Sequence, residues 1–500
     1  SRTALLLPLH AHWQPSPCAM ITGKVLVAGS GFLADAYSLY IIGLVQGVLF
    51  LEFETSSAAE EKRFKSLITT SALVGAVIGQ IFFGTLADRI GRKRVFVCTG
   101  SLISVGAILA ACTQPNLVES WGKHQIFWQI AFFQLIMGFG IGGEYPLSAT
   151  ITSESATPSE RGRTMALVFS MQGLGYLVAA LVNLILVASG ASRNFTWRFC
   201  LGFAGVMPAI SLYFRLQMHE TDAFQRAAAV AAAATTSSAG AESGVARRPV
   251  DSAWNYRWHV LGTALSWCLF DIVFYANSLF HADVTEALGG GTLVLDARNT
   301  LIIVLIMLPG YWAAIGTLDK LGRKNMQMMG FSMMALLFLL CGLFYEELKK
   351  VGWLFVLVYG LTFFFSNFGP NTTTYVIPGE IYPTRLKATC HGISAACGKA
   401  GAAVGTFCFP YLNPSTPAGL KNAMLICSGT AVLGLVATIF LTPRYTARDL
   451  EPNASDQSEG RSVHFVPLHL LGDRPTPEAT TPAMTSLQAP AGGKPLLQTP

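Results

Sequence analysis

Between residues 22 and 442 the chain alternates long apolar runs with short polar connections. Five runs, 95–118, 164–192, 326–345, 353–379 and 423–442, contain no charged residue. Each is as long as the ~20 residues an α-helix needs to cross a hydrocarbon core of about 30 Å. Seven further runs lie near 22–50, 66–87, 125–149, 199–214, 259–281, 300–318 and 389–412. All are expected to be helices, because lipid offers no partner to an unpaired backbone N–H or C=O. The pattern therefore predicts an all-α membrane protein with twelve transmembrane helices.

The connections alternate in charge. Arg89, Arg92, Lys93 and Arg94 crowd one, and Lys320, Arg323 and Lys324 another; Arg161 with Arg163, and Arg385 with Lys387, mark two more. The opposite connections are poorer in Lys and Arg, except around Lys62, Arg63 and Lys65, where Glu60 and Glu61 stand beside them. The positive-inside rule puts the basic set and both termini in the cytoplasm.

Three segments do not read as membrane. Residues 1–20 lack the basic start and continuous apolar core of a signal peptide and are expected as a cytoplasmic N-terminal segment. Residues 226–250 are rich in Ala and Ser and are expected to be flexible. They sit in a central linker, 217–258, between a six-helix bundle over 21–216 and a second over 259–442. Residues 443–500, rich in Pro, Thr, Ser and Gln, are expected as a disordered cytoplasmic tail.

Composition agrees with this reading. Only 12% of the 500 residues are charged, where soluble domains carry about 25%. Hydrophobic residues make up 52%, and mean hydropathy is +0.47. A soluble surface cannot be covered with so little charge, which excludes most soluble enzymes, and no nucleophile–base constellation is visible. The net charge of +6 is too small to suggest a nucleic-acid surface. The ten cysteines are scattered without a CxxC pair and read as small buried apolar residues. No metal or redox motif is present, and no cofactor is expected. Asn194-Phe195-Thr196 is a glycosylation sequon, expected in a short outer connection.

One pattern repeats. Gly84, Asp88, Arg89, Gly91, Arg92 and Lys93 return in the same order as Gly316, Asp319, Lys320, Gly322, Arg323 and Lys324. The next basic connections correspond as well, with Glu154 and Arg161 in one half and Glu380 and Arg385 in the other. A duplicated six-span half implies two bundles facing each other. Asp88, Arg92, Asp319 and Arg323 can bond helix ends and loop backbone there as gating ion pairs. The plainer reading is that these charges only set topology.

Ionisable residues at depth are few: Asp35, Glu144, Asp271 and Lys399. Each costs at least ~2.5–3.5 kcal/mol at a helix centre by insertion scales, so function is their default reading. The alternative is a static interhelical pair that fixes packing. Trp267, Asp271 and Tyr275 recur at i, i+4 and i+8 and share one helix face. Gly138, Gly140, Gly142 and Gly143 precede Glu144-Tyr145-Pro146, where close helix approach meets a helix interruption. Gln172 and Asn371 add neutral amides, and Asn367-Phe368-Gly369-Pro370-Asn371 predicts a bent span ten. Tyr, Gln, Trp and Asn offer donors with few fixed positive charges, which suits a small oxyanion that must be released again. A carboxylate among them fits an anion that carries its own protons, such as dihydrogen phosphate, or an Asp271 that is itself protonated during binding.

The duplicated loop motif resembles that of the major facilitator superfamily, which implies alternating access by rocking of two halves. The run from Gly142 to Glu154 is similar to the signature of the phosphate:proton symporters of fungi and plants. So are the stretches 35–37, 171–173, 267–275, 367–371, 378–383 and 390–401, and the resemblance covers roughly 24–442. It implies that Tyr145, Gln172, Trp267, Asp271, Tyr275 and Asn371 surround phosphate. It further implies that Asp35 and Glu144 lie on a proton route with Asp271, and that Lys399 pairs with Asp271 when the site is empty. Four positions depart from the family pattern. Ser38 replaces a second Asp, Glu144 replaces Asp, Gln134 replaces Arg, and Thr442-Pro443-Arg444 stands where a motif like Glu220-Thr221 would follow span twelve.

The expectation is a plasma-membrane carrier importing inorganic phosphate with protons. A carrier of a phosphate ester, sugar or other small solute, or a phosphate-sensing receptor, are the alternatives.

Overall fold

The computed structural model describes residues 17–55, 57–115, 124–238, 253–279, 292–412 and 416–445. The N-terminal segment up to residue 16, linker residues 239–252 and the tail from 446 lie outside the described residues.

Among the described residues every regular element is helical. The long helices are α1 (Pro17–Glu52), α2 (Ala58–Ile90), α3 (Arg92–Ala111), α4 (Gln125–Ser155), α5 (Arg161–Ala188) and α6 (Arg193–Gln217). After α7 (Asp222–Ser238) come α8 (Arg257–Leu279), α9 (Leu293–Leu321) and α10 (Arg323–Leu343). A short α11 (Tyr345–Lys350) leads to α12 (Gly352–Ser366), α13 (Thr372–Ile381), α14 (Lys387–Cys408) and α15 (Pro417–Leu441).

Among these residues eleven helical spans are long and apolar enough to cross a membrane. The twelfth expected span is α14, whose 22 residues would cover about 33 Å. It is less apolar because it packs on α8, α2 and α4 and shows little of itself to the outside. Large apolar side chains such as Ile185, Ile210, Leu305 and Phe440 are exposed around the long helices, as a lipid-facing surface requires.

Span ten does bend: α12 and α13 are joined by a π turn over Asn367–Asn371, in which Gly369 (φ −150°, ψ −117°) leaves helical geometry. The repeated glycines end one helix and start the next, Gly91 at φ 103° and Gly322 at φ 79°, a region that favours glycine. The stretch 226–250, expected to be flexible, is instead helical as far as Ser238. Alanine has the highest helix propensity, and Thr221 caps the start by accepting from the Phe224 N–H. Asn194 is likewise in the first turn of α6 rather than in a loop.

Helix pairing has a two-fold logic. Within the first half α2 packs on α4, α3 on α4 and α6, and α1 on α5 and α6. Across the halves α14 packs on α2 and α9 on α5, which are corresponding pairs in the repeat. Gly79 and Gly142 bring α2 and α4 so close that a Cβ on either would meet the other's backbone.

Candidate functional site

The α8 stripe lies at the centre of the molecule. Asp271 accepts from the Lys399 ammonium of α14 at 2.8 Å, and both residues are 2% exposed. Lys399 Nζ also sits 4.9 Å from the ring centroid of Tyr145 and 4.7 Å from that of Tyr275. Such cation–π contacts strengthen when desolvated. The Trp267 ring lies 6.2 Å from that of Tyr145. Burying this pair recovers its desolvation cost only with good geometry and extra partners, and the two phenol rings supply part of that.

Gln172 on α5 lies beside it. Its Oε1 accepts from Tyr311 Oη (2.9 Å) and Asn371 Nδ2 (3.1 Å), and its Nε2 faces Tyr145 Oη at 3.4 Å. Asn371 Nδ2 also reaches Tyr311 Oη and Asn367 Oδ1. Tyr311 and Asn367 belong to this network although sequence reading did not place them in it. The available signal was Pro309-Gly310 just before Tyr311, another interruption in a predicted span.

Two aromatic layers enclose the cluster. Phe32, Phe169 and Tyr375 pack ring to ring with centroids 4.8–5.4 Å apart. In the chain each lies three or four residues nearer the basic connections than Asp35, Gln172 and Asn371 on the same strand of helix. On the opposite side Tyr176 packs against Tyr40 and Phe274. Beyond that layer is a cavity of about 220 Å³ lined by Tyr40, Tyr176, Tyr275, Asn183, Asp296 and Thr300, among others. Of the expected phosphate residues only Tyr275 lines it, so the polar cluster is beneath its floor.

Glu144 is elsewhere engaged. Arg215 of α6 holds it with two hydrogen bonds, at 2.5 and 2.9 Å, and Thr99 donates to it at 2.6 Å. Arg215 also donates to the Phe96 carbonyl and lies over the Phe96 ring. Asp35, 1% exposed, has no hydrogen-bond partner on either carboxyl oxygen. Ser38 bonds the Ala34 carbonyl of its own helix at 2.7 Å. Glu144→Ala leaves the Arg215 guanidinium buried without its carboxylate, at a cost of about 3–5 kcal/mol. A large fall in the melting temperature of the purified protein is expected, and an unchanged melt would contradict a fixed pair.

At the basic face the repeated motif closes the two halves onto each other. Asp88 Oδ2 accepts from the Thr389 N–H and hydroxyl at 2.7 Å each, so it caps the start of α14 from the other half. Arg92 bonds Glu154 (2.9 Å), the Thr384 carbonyl (2.7 Å) and Asp88 (3.2 Å) while buried. Thr221 completes Glu154 at 2.5 Å. In the second half Arg323 bonds Glu380 twice at 2.9 Å and Asp319 at 2.8 Å. There Tyr445 donates to Glu380 at 2.7 Å, the counterpart of Thr221 on Glu154. Burial pushes the Tyr445 phenol well up, so it remains a donor. Arg92, Arg323 and Glu380 are buried and multiply bonded, which topology alone does not require, whereas Asp319 is exposed and among the described residues pairs with Arg323 only.

Twelve-span architecture, a duplicated half, a central polar cluster and a sealed face together define a membrane transporter of the major facilitator class. The sequence matches the sugar (and other) transporter family over residues 24–455, and the chain belongs to that family. It is 34% identical to inorganic phosphate transporter 1-6 of Oryza sativa subsp. japonica, covering 86% of this chain and 92% of that protein. Low affinity inorganic phosphate transporter 4 of Lotus japonicus is also 34% identical, with 89% and 93% covered. In fold the chain is similar to the proton:xylose symporter XylE bound to 6-bromo-6-deoxy-D-glucose, with a TM-score of 0.70 at 20% identity, covering 86% and 97%.

Proposed function

We propose that the protein imports inorganic phosphate with protons by alternating access. The observation that carries this is the Asp271–Lys399 pair ringed by neutral donors between two aromatic layers. Phosphate arrives as the monoanion through the cavity opposite the basic face. Lys399 supplies one positive charge, and Tyr145, Gln172, Trp267 and Tyr275 supply donors, with Asn371 behind Gln172. An O–H of dihydrogen phosphate donates to Asp271, which turns a repulsive carboxylate into an acceptor. Binding thereby loosens the Asp271–Lys399 bond.

Asp35 is the group free to change charge. Burying a lone carboxylate costs several kcal/mol, whereas the neutral acid is tolerated. Glu144 is the poorer carrier, because Arg215 and Thr99 already occupy both of its carboxyl oxygens. Its part in the proton route is to set the field at Asp35 together with Arg215. The basic connections support an orientation with both termini in the cytoplasm, and the plasma membrane is the residence proposed.

An inside-negative potential opposes a monoanion by ~2.3 kcal/mol per 100 mV, and one proton cancels that term. With Ser38 in place of a second acid, one proton per phosphate is expected. In proteoliposomes an imposed inward pH gradient should drive labelled phosphate uptake with no inward current at saturating phosphate. Clear current would refute one-to-one coupling, and absent uptake would refute phosphate import. Stronger competition by a phosphate ester or a sugar than by phosphate would assign a different substrate.

A further inference from the structure

Resting on the phosphate reading, we infer that the backbone carbonyl of Met307 fixes the site as a hydrogen-bond donor through a chain of oriented amides. A carboxamide has a donor end and an acceptor end, and only its partners decide which end faces a ligand. The chain begins at an atom that can only accept. Asn367 Nδ2 donates to the Met307 carbonyl at 3.3 Å, so Asn367 turns its Oδ1 the other way. That oxygen accepts from Asn371 Nδ2 at 2.8 Å. The second hydrogen of the Asn371 amide is shared between Gln172 Oε1 at 3.1 Å and Tyr311 Oη at 3.2 Å. Tyr311 accepts there and spends its own hydrogen on Gln172 Oε1 at 2.9 Å. Both lone pairs of Gln172 Oε1 are thus occupied, and Nε2 is the end left facing Tyr145 and the Asp271–Lys399 pair.

Turning Gln172 over would set its NH2 against the Asn371 NH2 and leave the Tyr311 hydrogen without its acceptor. The two unprotonated oxygens of dihydrogen phosphate can only accept hydrogen bonds, and a donor facing a charged oxygen bonds it more strongly than it bonds a neutral hydroxyl. Locking the donor end outward therefore presets Gln172 for those oxygens. Asn367, Asn371 and Tyr311 are positioning residues that act through Gln172; both hydrogens of the Asn371 amide are committed within the network.

The test is a double-mutant cycle on phosphate affinity of the full chain in detergent. Asn367→Leu removes the anchor and should raise the phosphate Kd about tenfold, a change on the scale of one or two hydrogen bonds. In a Gln172→Met background the same change should add less than about twofold, because no amide remains to orient. Equal effects in both backgrounds, or no effect in either, would overturn the relay. If Asn367→Leu does not fold, Tyr311→Phe enters the same cycle with an expected rise of a few-fold. A ligand-free readout separates this from the phosphate reading. The side-chain amide signal of Gln172 in 15N spectra, assigned by its loss in Gln172→Met, should broaden or split in Asn367→Leu or Tyr311→Phe. An unchanged signal overturns the relay whether or not phosphate binds; a wild-type protein that binds no phosphate overturns only the substrate.

Discussion

Asp271→Asn is expected to abolish phosphate uptake. The substitution leaves Lys399 buried with no counter-charge and replaces the charged acceptor proposed for the phosphate O–H with a weaker, neutral amide oxygen. An unpaired buried charge costs about 3–5 kcal/mol, so part of the loss could come from misfolding. The double variant Asp271→Asn with Lys399→Met separates the two causes. It removes both charges, keeps similar volume and should restore a wild-type melt while uptake stays at background. Recovery of uptake in the double variant would mean that the pair only fixes packing.

Arg92→Ala is expected to have the second largest effect, by unsealing the basic face. The guanidinium donates to the Thr384 carbonyl of the opposite half at 2.7 Å, while Glu154 of its own half holds it at 2.9 Å; a bond from a charged group is worth about 1.5–3 kcal/mol. Losing the bond across the halves shifts the balance towards the state open at that face by roughly ten- to a hundredfold. Cys390, buried next to Thr389 at the gate, reports the change. In a protein keeping Cys390 as its one cysteine, maleimide labelling should accelerate at least about tenfold on Arg92→Ala. Unchanged labelling would show that the gate does not depend on this arginine.

Much of this architecture was legible in sequence for simple reasons. A helix in lipid must satisfy its backbone internally, so long apolar runs translate directly into spans. Glycine at 91 and 322 and the Gly369-Pro370 pair mark the sharp turns because other residues fit poorly there. What was not legible depended on partners distant in the chain. Arg215 sits at the end of a span, where an arginine reads as a topology signal, yet it neutralises Glu144 from 71 residues away. Tyr311 and Asn367 look like ordinary span residues until three helices bring them to Gln172. The alanine-rich stretch after Thr221 carries both a linker composition and a helix propensity, and the capped start favours the helix. The apolar count at α14 is low because protein rather than lipid surrounds it.

Helix α14 holds Lys399 at mid-length and offers Thr389 to Asp88 near its start. Ten residues of unbroken helix separate the two, about 15 Å. The charge proposed to meet phosphate and the latch are therefore mounted on one rigid rod. On that proposal a pull on Lys399 arrives at the latch by translation of the rod, with no intervening chain of side chains to transmit it. Transport then behaves as a lever with a single moving arm, and stiffness of α14, more than the strength of any one bond, sets how faithfully binding is converted into opening.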